Sequence, residues 1–259
     1  MIQLLKKILR IIDENSWTLR YIFNTHSHAD HCGGNNFLQE KSDVITMSSS
    51  IEKVLIENPI LEPSYLYGAF PQIELHNKFL KAKNSLVNRV LSEGKVDIHG
   101  VEFEIIDLPG HSLGMIGLKT DDNVFYLGDS IFPKEIIDKH KLLFLFNYKE
   151  TIKTLEKLKS YEAKVYVLSH GGIYNDISEI IDYNIASLKG VNDAIYACLD
   201  EFSSAEDIHK AVIENYDIKE ILPQYYLNIS VIKAHLTHLC DSEHIYNEVV
   251  DSTVKWKRR

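Results

Sequence analysis

Residues 25–34 read Thr25-His26-Ser27-His28-Ala29-Asp30-His31-Cys32-Gly33-Gly34, and three of the chain's twelve histidines fall within six residues there. On an extended strand end, side chains two residues apart point the same way. His26 and His28 can therefore face one metal ion, while Asp30 and His31 come a turn later and can reach a second ion beside it. Imidazole nitrogen and carboxylate oxygen suit zinc; the mixed set also accepts iron or manganese. Three more metal-capable residues follow singly, each after an expected strand and close to a glycine. They are His111 in Leu108-Pro109-Gly110-His111-Ser112, Asp129 in Tyr126-Leu127-Gly128-Asp129-Ser130, and His170 in Leu168-Ser169-His170-Gly171-Gly172. Glycine lets the backbone turn sharply and leaves room near an ion. Two ions about 3.5–4 Å apart would share a water, lower its pKa and polarise a carbonyl or phosphoryl oxygen. No serine or cysteine nucleophile is then needed. Taken singly, His111, Asp129 and His170 read as turn or capping residues; beside the first cluster they read as ligands. Cys32 fits no ligand spacing and reads as a small buried residue. His76, His99, His140, His209, His235, His238 and His244 carry no spacing signal.

The elements that must position these residues follow from hydrophobic pattern. Residues 2–14 predict an amphipathic helix with Leu5, Ile8, Leu9 and Ile12 on one stripe. The run 20–24 predicts a buried strand that ends at the cluster. A helix then runs from Gly33-Gly34 to about 41, followed by a strand at 43–47 and a helix at about 50–57. Pro59, Pro63 and Pro71 break regular structure after that. The stretch 58–94 reads as an apolar-lined insertion outside the core, with a helical pattern at 73–85. Its aromatics Tyr65, Tyr67 and Phe70 are either a lid and substrate wall or ordinary packing. Strands at 95–98 and 101–107 meet at a His99-Gly100 turn, and strands at 115–119 and 123–127 meet around Asp121-Asp122-Asn123. Helix 149–160 and strand 164–168 follow. Strands early and helices interleaved predict α/β or α+β layering.

A boundary is expected near 190. Residues 1–190 then form the metal-binding, catalytic portion and 191–259 a tail. The tail reads as helices at 192–201, 204–215 and about 226–240, then extended pieces at 244–247 and 253–256. Three helices followed by a β-hairpin is the order of a winged helix.

The chain has 259 residues and a net charge of −9. That length suits one large domain, or one domain with an appendage. The acidic balance disfavours a broad electrostatic grip on nucleic acid. In the tail, residues 200–259 hold seven Lys or Arg against eleven Asp or Glu, so the tail lacks the basic face of a nucleic-acid reader. It is expected to pack on the catalytic portion, shape the substrate entrance or support a homodimer. No apolar stretch is long enough to span a membrane, and Lys6, Lys7 and Arg10 interrupt the apolar start, unlike a secretory signal. Three widely spaced cysteines argue for the reducing cytoplasm.

The full pattern, H-x-H-x-D-H and then H, D and H in that order, resembles the metallo-β-lactamase superfamily over about residues 15–175. The resemblance implies an αββα sandwich and a dinuclear centre. His26, His28 and His111 would hold one metal, Asp30, His31 and His170 the other, and Asp129 would bridge both. Asp30 would also hold the attacking water. Activity similar to glyoxalase II is implied: hydrolysis of a small thioester, ester or lactone by a two-zinc site. Other readings are a ribonuclease or phosphodiesterase of the same superfamily, an iron dioxygenase-like member, and a truncated non-catalytic protein that binds a partner chain. β-Lactam hydrolysis is disfavoured, since no export signal is evident. Family members carry several strands before the first motif, including an Asp-containing turn that buttresses the ligands. Only 25 residues precede His26 here. The first sheet half is therefore expected to be absent, or supplied by an N-terminal extension or a partner chain. Support for the ligands is expected to suffer accordingly.

Overall fold

The structure is a computed structural model that describes residues 2–259, with side chains from Leu5 onward. It is a mixed α/β fold of two compact units, one built from residues up to Asp107 plus Gly114–Asp121, the other from Leu108–Leu113 plus Asp122–Arg259.

In chain order the first unit holds α1 (Ile2–Glu14), β1 (Tyr21–Phe23), α2 (Ala29–Cys32), α3 (Asn35–Lys41), β2 (Ile45–Ser49), α4 (Ser50–Glu57), α5 (Leu61–Tyr67), β3 (Arg89–Leu91), β4 (Gly94–Ile98), β5 (Val101–Asp107) and β6 (Ile116–Thr120). β1, β2 and β3 form a parallel sheet with Tyr21 opposite Ile45 and Met47 opposite Arg89. Parallel neighbours need a crossover, and α2 and α3 provide it between β1 and β2. β4, β5 and β6 form an antiparallel meander. His99 and Gly100 both take positive φ (57° and 83°) at its first turn, as a tight hairpin requires. Met47 and Leu91 from the parallel sheet pack with Ile98, Ile105 and Ile116 from the meander into one core.

Two expectations for 58–94 are corrected. No helix spans 73–85; only a 3₁₀ turn at Ile73–Leu75 forms. The Asn77 side chain accepts from the Phe79 N–H at 2.9 Å, an Asx turn that competes with helical hydrogen bonding. Nor is the stretch outside the core: Leu75 and Leu80 are buried and β3 completes the parallel sheet.

The second unit holds β7 (Val124–Tyr126), α6 (Lys134–His140), α7 (Tyr148–Leu158), β8 (Val165–Leu168), β9 (Gly172–Tyr174), α8 (Ser178–Ala197), β10 (Ser203–Ser204), α9 (Ala205–Asn215), α10 (Leu222–Asp241), β11 (Ile245–Val250) and β12 (Thr253–Arg258). β7 runs parallel to β8, and β9 returns antiparallel. The helix expected at 192–201 is the second half of α8, an unbroken 20-residue helix. Buried Ile181, Ile185, Val191 and Ile195 carry one face through it. Ser204 and Asp207 make a capping box that starts α9. The antiparallel sheet β10-β12-β11 follows, with Ser203 opposite Trp256 and Ile245 opposite Arg258. Ile195, Ile208, Ile232, Leu236 and Ile245 join these elements in one core. Among the described residues no helix is long and apolar enough to cross a membrane.

His235, on α10, is fully buried in that core, with its Nδ1 2.7 Å from Asn192 Oδ1. The amide oxygen only accepts, so Nδ1 carries the proton. Burial first, then the neighbouring His238, pushes the His235 pKa down from the ordinary 6.5 to about 3. The folded protein therefore holds His235 neutral, while the unfolded chain takes up a proton below about pH 6.5. The stabilisation is complete above that pH and is lost as pH falls toward 3. Denaturant titrations from pH 6.5 down to 4 should show wild type losing about 1.4 kcal/mol per pH unit more than His235→Gln. Equal slopes would refute the assignment.

Candidate metal centre

In the first unit, the chain leaving β1 is held before it reaches the histidines. The Asn24 N–H donates to Met47 O at 2.9 Å, and Ser48 Oγ donates to Asn24 O at 2.9 Å. The Asn35 amide donates to Asn24 Oδ1 at 2.7 Å, which ties α3 to the same point. The Ile116 N–H then fixes Thr25 O at 2.9 Å. His26 is fully buried, with Nδ1 3.0 Å from Thr25 Oγ1. Its ring lies 4.6 Å from that of His28 and 4.1 Å from that of His31, centroid to centroid. His31 and Cys32 donate to His28 O at 2.9 and 3.0 Å, and this first turn of α2 swings Asp30 and His31 back toward the strand end. Asp30 Oδ2 lies 3.5 Å from His31 Nε2. Cys32 Sγ donates to Ser27 O at 2.9 Å, and burial, then Glu62, pushes its thiol up to about 12. It is a buried small residue.

In the second unit, Gly110 takes φ +132°, and a Cβ there would lie 2.4 Å from Thr151 N. Only glycine fits against α7 at that point. The Gly110 carbonyl accepts from Phe146 and Asn147 at 2.8 and 2.9 Å, and Thr154 Oγ1 donates to Pro109 O at 2.7 Å. His111, so anchored, donates from Nδ1 to Phe144 O at 2.9 Å. A carbonyl cannot donate, so in the neutral ring Nε2 carries the lone pair, as in metal-bound histidines. Parallel pairing of β7 and β8 continues into the loops, where Leu127 N–H donates to Val167 O at 3.0 Å. Gly128 turns with φ +57° and places Asp129 beside His170. Asp129 is buried, and its Oδ2 lies 3.6 Å from His111 Nε2 and 3.3 Å from His170 Nε2. The Phe132 ring flanks both histidines at 5.8 and 6.2 Å.

These separations test the fit to a metal. Two donors each about 2.1 Å from a tetrahedral ion stand about 3.4 Å apart. The pairs Asp30–His31, Asp129–His111 and Asp129–His170 all lie close to that edge length and are long for direct hydrogen bonds. Among the described residues, the side chains that group closely enough to hold a metal ion are His26, His28, Asp30 and His31 of the first unit and His111, Asp129 and His170 of the second. Nitrogen and oxygen donors of this kind fit a divalent cation.

Glu62, which no motif pointed to, is buried on α5. Burial first, then Asp30 and Glu52, holds its carboxyl well above the usual carboxylate range. The Tyr65 phenol is likewise pushed up, by burial and then by Glu62 and Glu52. Of the other aromatics in that stretch, Phe70 is 77% exposed, Phe79 69% and Tyr67 38%. The signal in the sequence was an acid in the first turn of a short helix, which is common at helix starts and passes unnoticed.

Residues 1–170 match the family described as the Metallo-beta-lactamase superfamily. Among curated proteins, Hydroxyacylglutathione hydrolase 1 of Vibrio vulnificus (strain YJ016) is 27% identical over 163 residues, 62% of this chain and 52% of that protein. The Hydroxyacylglutathione hydrolase of Erwinia tasmaniensis is 33% identical over 125 residues, 48% of this chain and 38% of that one. The chain thus spans about half the length, or less, of the curated relatives it matches. Among solved structures, a metallo-beta-lactamase family protein from Thermus thermophilus superposes with TM-score 0.71 at 18% identity, covering 93% of this chain and 80% of that one. A Beta-lactamase domain protein from Burkholderia ambifaria gives TM-score 0.72 at 18% identity, covering 96% and 77%. At that identity the likeness is one of fold.

If Asp129 is a ligand, Asp129→Asn should weaken metal binding by at least about 100-fold, more than loss of an outer partner costs. Equilibrium dialysis followed by elemental analysis checks this, and unaltered metal content in the variant would count against it.

Proposed function

The chain belongs to the Metallo-beta-lactamase superfamily, and we propose that it is a dinuclear zinc hydrolase that cleaves a small thioester, ester or lactone. The observation that carries the reading is the placement of Asp129 Oδ2 at 3.6 and 3.3 Å from two histidine Nε2 atoms. One carboxylate oxygen at ligand-edge distance from both imidazoles is compatible with a bridging role. In this reading His26, His28 and His111 hold one ion, Asp30, His31 and His170 the other, and Asp129 both. When bound, the pair supplies a water of lowered pKa and polarises the scissile carbonyl.

The chain's own residues do the rest. Asp30 is about half exposed, with a side chain 54% accessible, so its carboxylate can accept a hydrogen bond from an incoming water and orient it. His111 keeps its Nδ1 proton on Phe144 O, which holds the ring in one tautomer throughout. The Phe132 ring packs against His111 and His170. The thioester class is favoured by the curated relatives, which carry the name hydroxyacylglutathione hydrolase. Three free cysteines fit a reducing cytoplasm. The segment from the end of α8 through β12 has the helix and hairpin order of a winged helix, and we assign residues 191–259 to that module, with 1–190 as the catalytic portion.

The test is hydrolysis by the metal-loaded chain of a panel containing hydroxyacylglutathione and other thioesters, aryl esters, lactones and RNA. Turnover of a thioester, ester or lactone is expected, with kcat falling about 10²–10⁴-fold in Asp30→Asn. Two bound ions with no turnover of those three classes would overturn the reading, and cleavage of RNA alone would replace it with a phosphodiesterase.

A further inference from the structure

Ser27 lies between His26 and His28 and is itself buried. Its backbone N–H must find a partner inside the protein, and it donates to Glu52 Oε2 at 2.8 Å. The other carboxylate oxygen, Oε1, accepts from the Gly114 N–H, also at 2.8 Å. Glu52 is fully buried, so its charge is compensated by protein groups and not by solvent. It sits in the first turn of α4, whose N-cap is Ser49. Ser49 Oγ accepts from the Glu52 N–H at 3.3 Å. A glutamate at that position can reach back to the N-cap N–H; here the carboxylate reaches across to two other segments instead. Gly114 comes close enough because it lacks a side chain: a Cβ there would lie 2.8 Å from Ser49 Oγ and 3.0 Å from Ile51 Cβ. One carboxylate thus joins three stretches, separated by 25 and 62 residues in sequence.

We propose that Glu52 is a positioning residue for the metal centre: its carboxylate clamps the N–H groups of Ser27 and Gly114 and so fixes the direction in which His26 and His28 present their rings. The inference rests on the metal-centre reading above. The peptide plane at Ser27 sets where the flanking histidines point, and a charge-assisted bond to its N–H holds that plane more firmly than a neutral acceptor does. Oε2 accepts from Ser27 and Oε1 from Gly114, so both oxygens must be acceptors.

That requirement gives the test. Glu52→Gln is nearly isosteric, but one oxygen becomes an amide that points its own hydrogens at an N–H. Metal-free wild type, Glu52→Gln and Ser49→Ala are titrated with Co(II) while the visible ligand-field bands are recorded, and the melting temperature of each metal-free protein is measured. Co(II) affinity in Glu52→Gln should fall about 10–100-fold, with altered bands. Ser49→Ala weakens the α4 cap, so its melting temperature should drop while its Co(II) affinity and bands stay those of wild type. That contrast separates loss of positioning from loss of stability. A Glu52→Gln protein that binds Co(II) like wild type, with the same bands, overturns the role of Glu52. Wild type that binds no Co(II) overturns the metal-centre reading and this one with it. Should Glu52→Gln fail to fold, amide hydrogen exchange in metal-free wild type decides: a protected Ser27 N–H supports the clamp, and a freely exchanging one refutes it.

Discussion

A buried carboxylate flanked by two imidazoles at 3.3 and 3.6 Å is the constraint on which the second unit depends. Those separations are long for strong hydrogen bonds, yet Asp129 is only 5% exposed, so water does not solvate it. A cation shared with the imidazoles, as proposed above, would account for this geometry. The surrounding backbone is arranged to hold this geometry. β7 and β8 run parallel, so their carboxyl ends, and the loops bearing Asp129 and His170, emerge side by side. Gly128 takes positive φ to turn Asp129 inward. Gly110 lies against the backbone of α7 where no other residue fits, and the loop before α7 returns the Phe144 carbonyl that orients His111.

The first unit meets the same demand with local means. Three imidazole rings packed with centroids 4.1 and 4.6 Å apart gather nitrogen donors of the kind a divalent cation takes. The strand end that delivers them is held by backbone and side-chain bonds to β2 and α3, so the direction of the chain at Thr25 does not depend on the metal. The sequence led to the expectation that support for the ligands would suffer; in the structure the Ser27 N–H, between His26 and His28, is held from downstream by Glu52.

The parts legible in the sequence are those whose geometry is local. His26, His28, Asp30 and His31 lie within one strand end and one helical turn, so spacing alone relates them. His111, Asp129 and His170 stood out because glycines mark sharp turns after apolar runs. Less was visible where partners are distant. β3 is three residues, Arg89–Leu91, two of them exposed, and it is a strand only because β2 lies beside it. The pattern gave a boundary near 190 and a helix only from 192, whereas α8 runs unbroken from Ser178 to Ala197, with Ile181, Ile185, Val191 and Ile195 buried along it. Residues 73–85 have helical spacing of apolar groups, but the Asn77 side chain satisfies the backbone differently.

Glu52 shows most sharply why a site's support can stay hidden when its ligands do not. Ser49-x-x-Glu52 has the spacing of a capping box, and a capping box is the ordinary meaning of that pattern. The serine does cap the helix. The carboxylate is drawn elsewhere because it meets the N–H groups of Ser27, which is buried, and of Gly114, which is partly buried, and leaving a buried donor unpaired costs about 1–3 kcal/mol. Positions 27, 52 and 114 are therefore determined jointly: a buried amide between two histidines, an acid one helical turn into α4, and a glycine that leaves room for both. None of the three announces chemistry by its type, and the constraint exists only once the fold has brought them together.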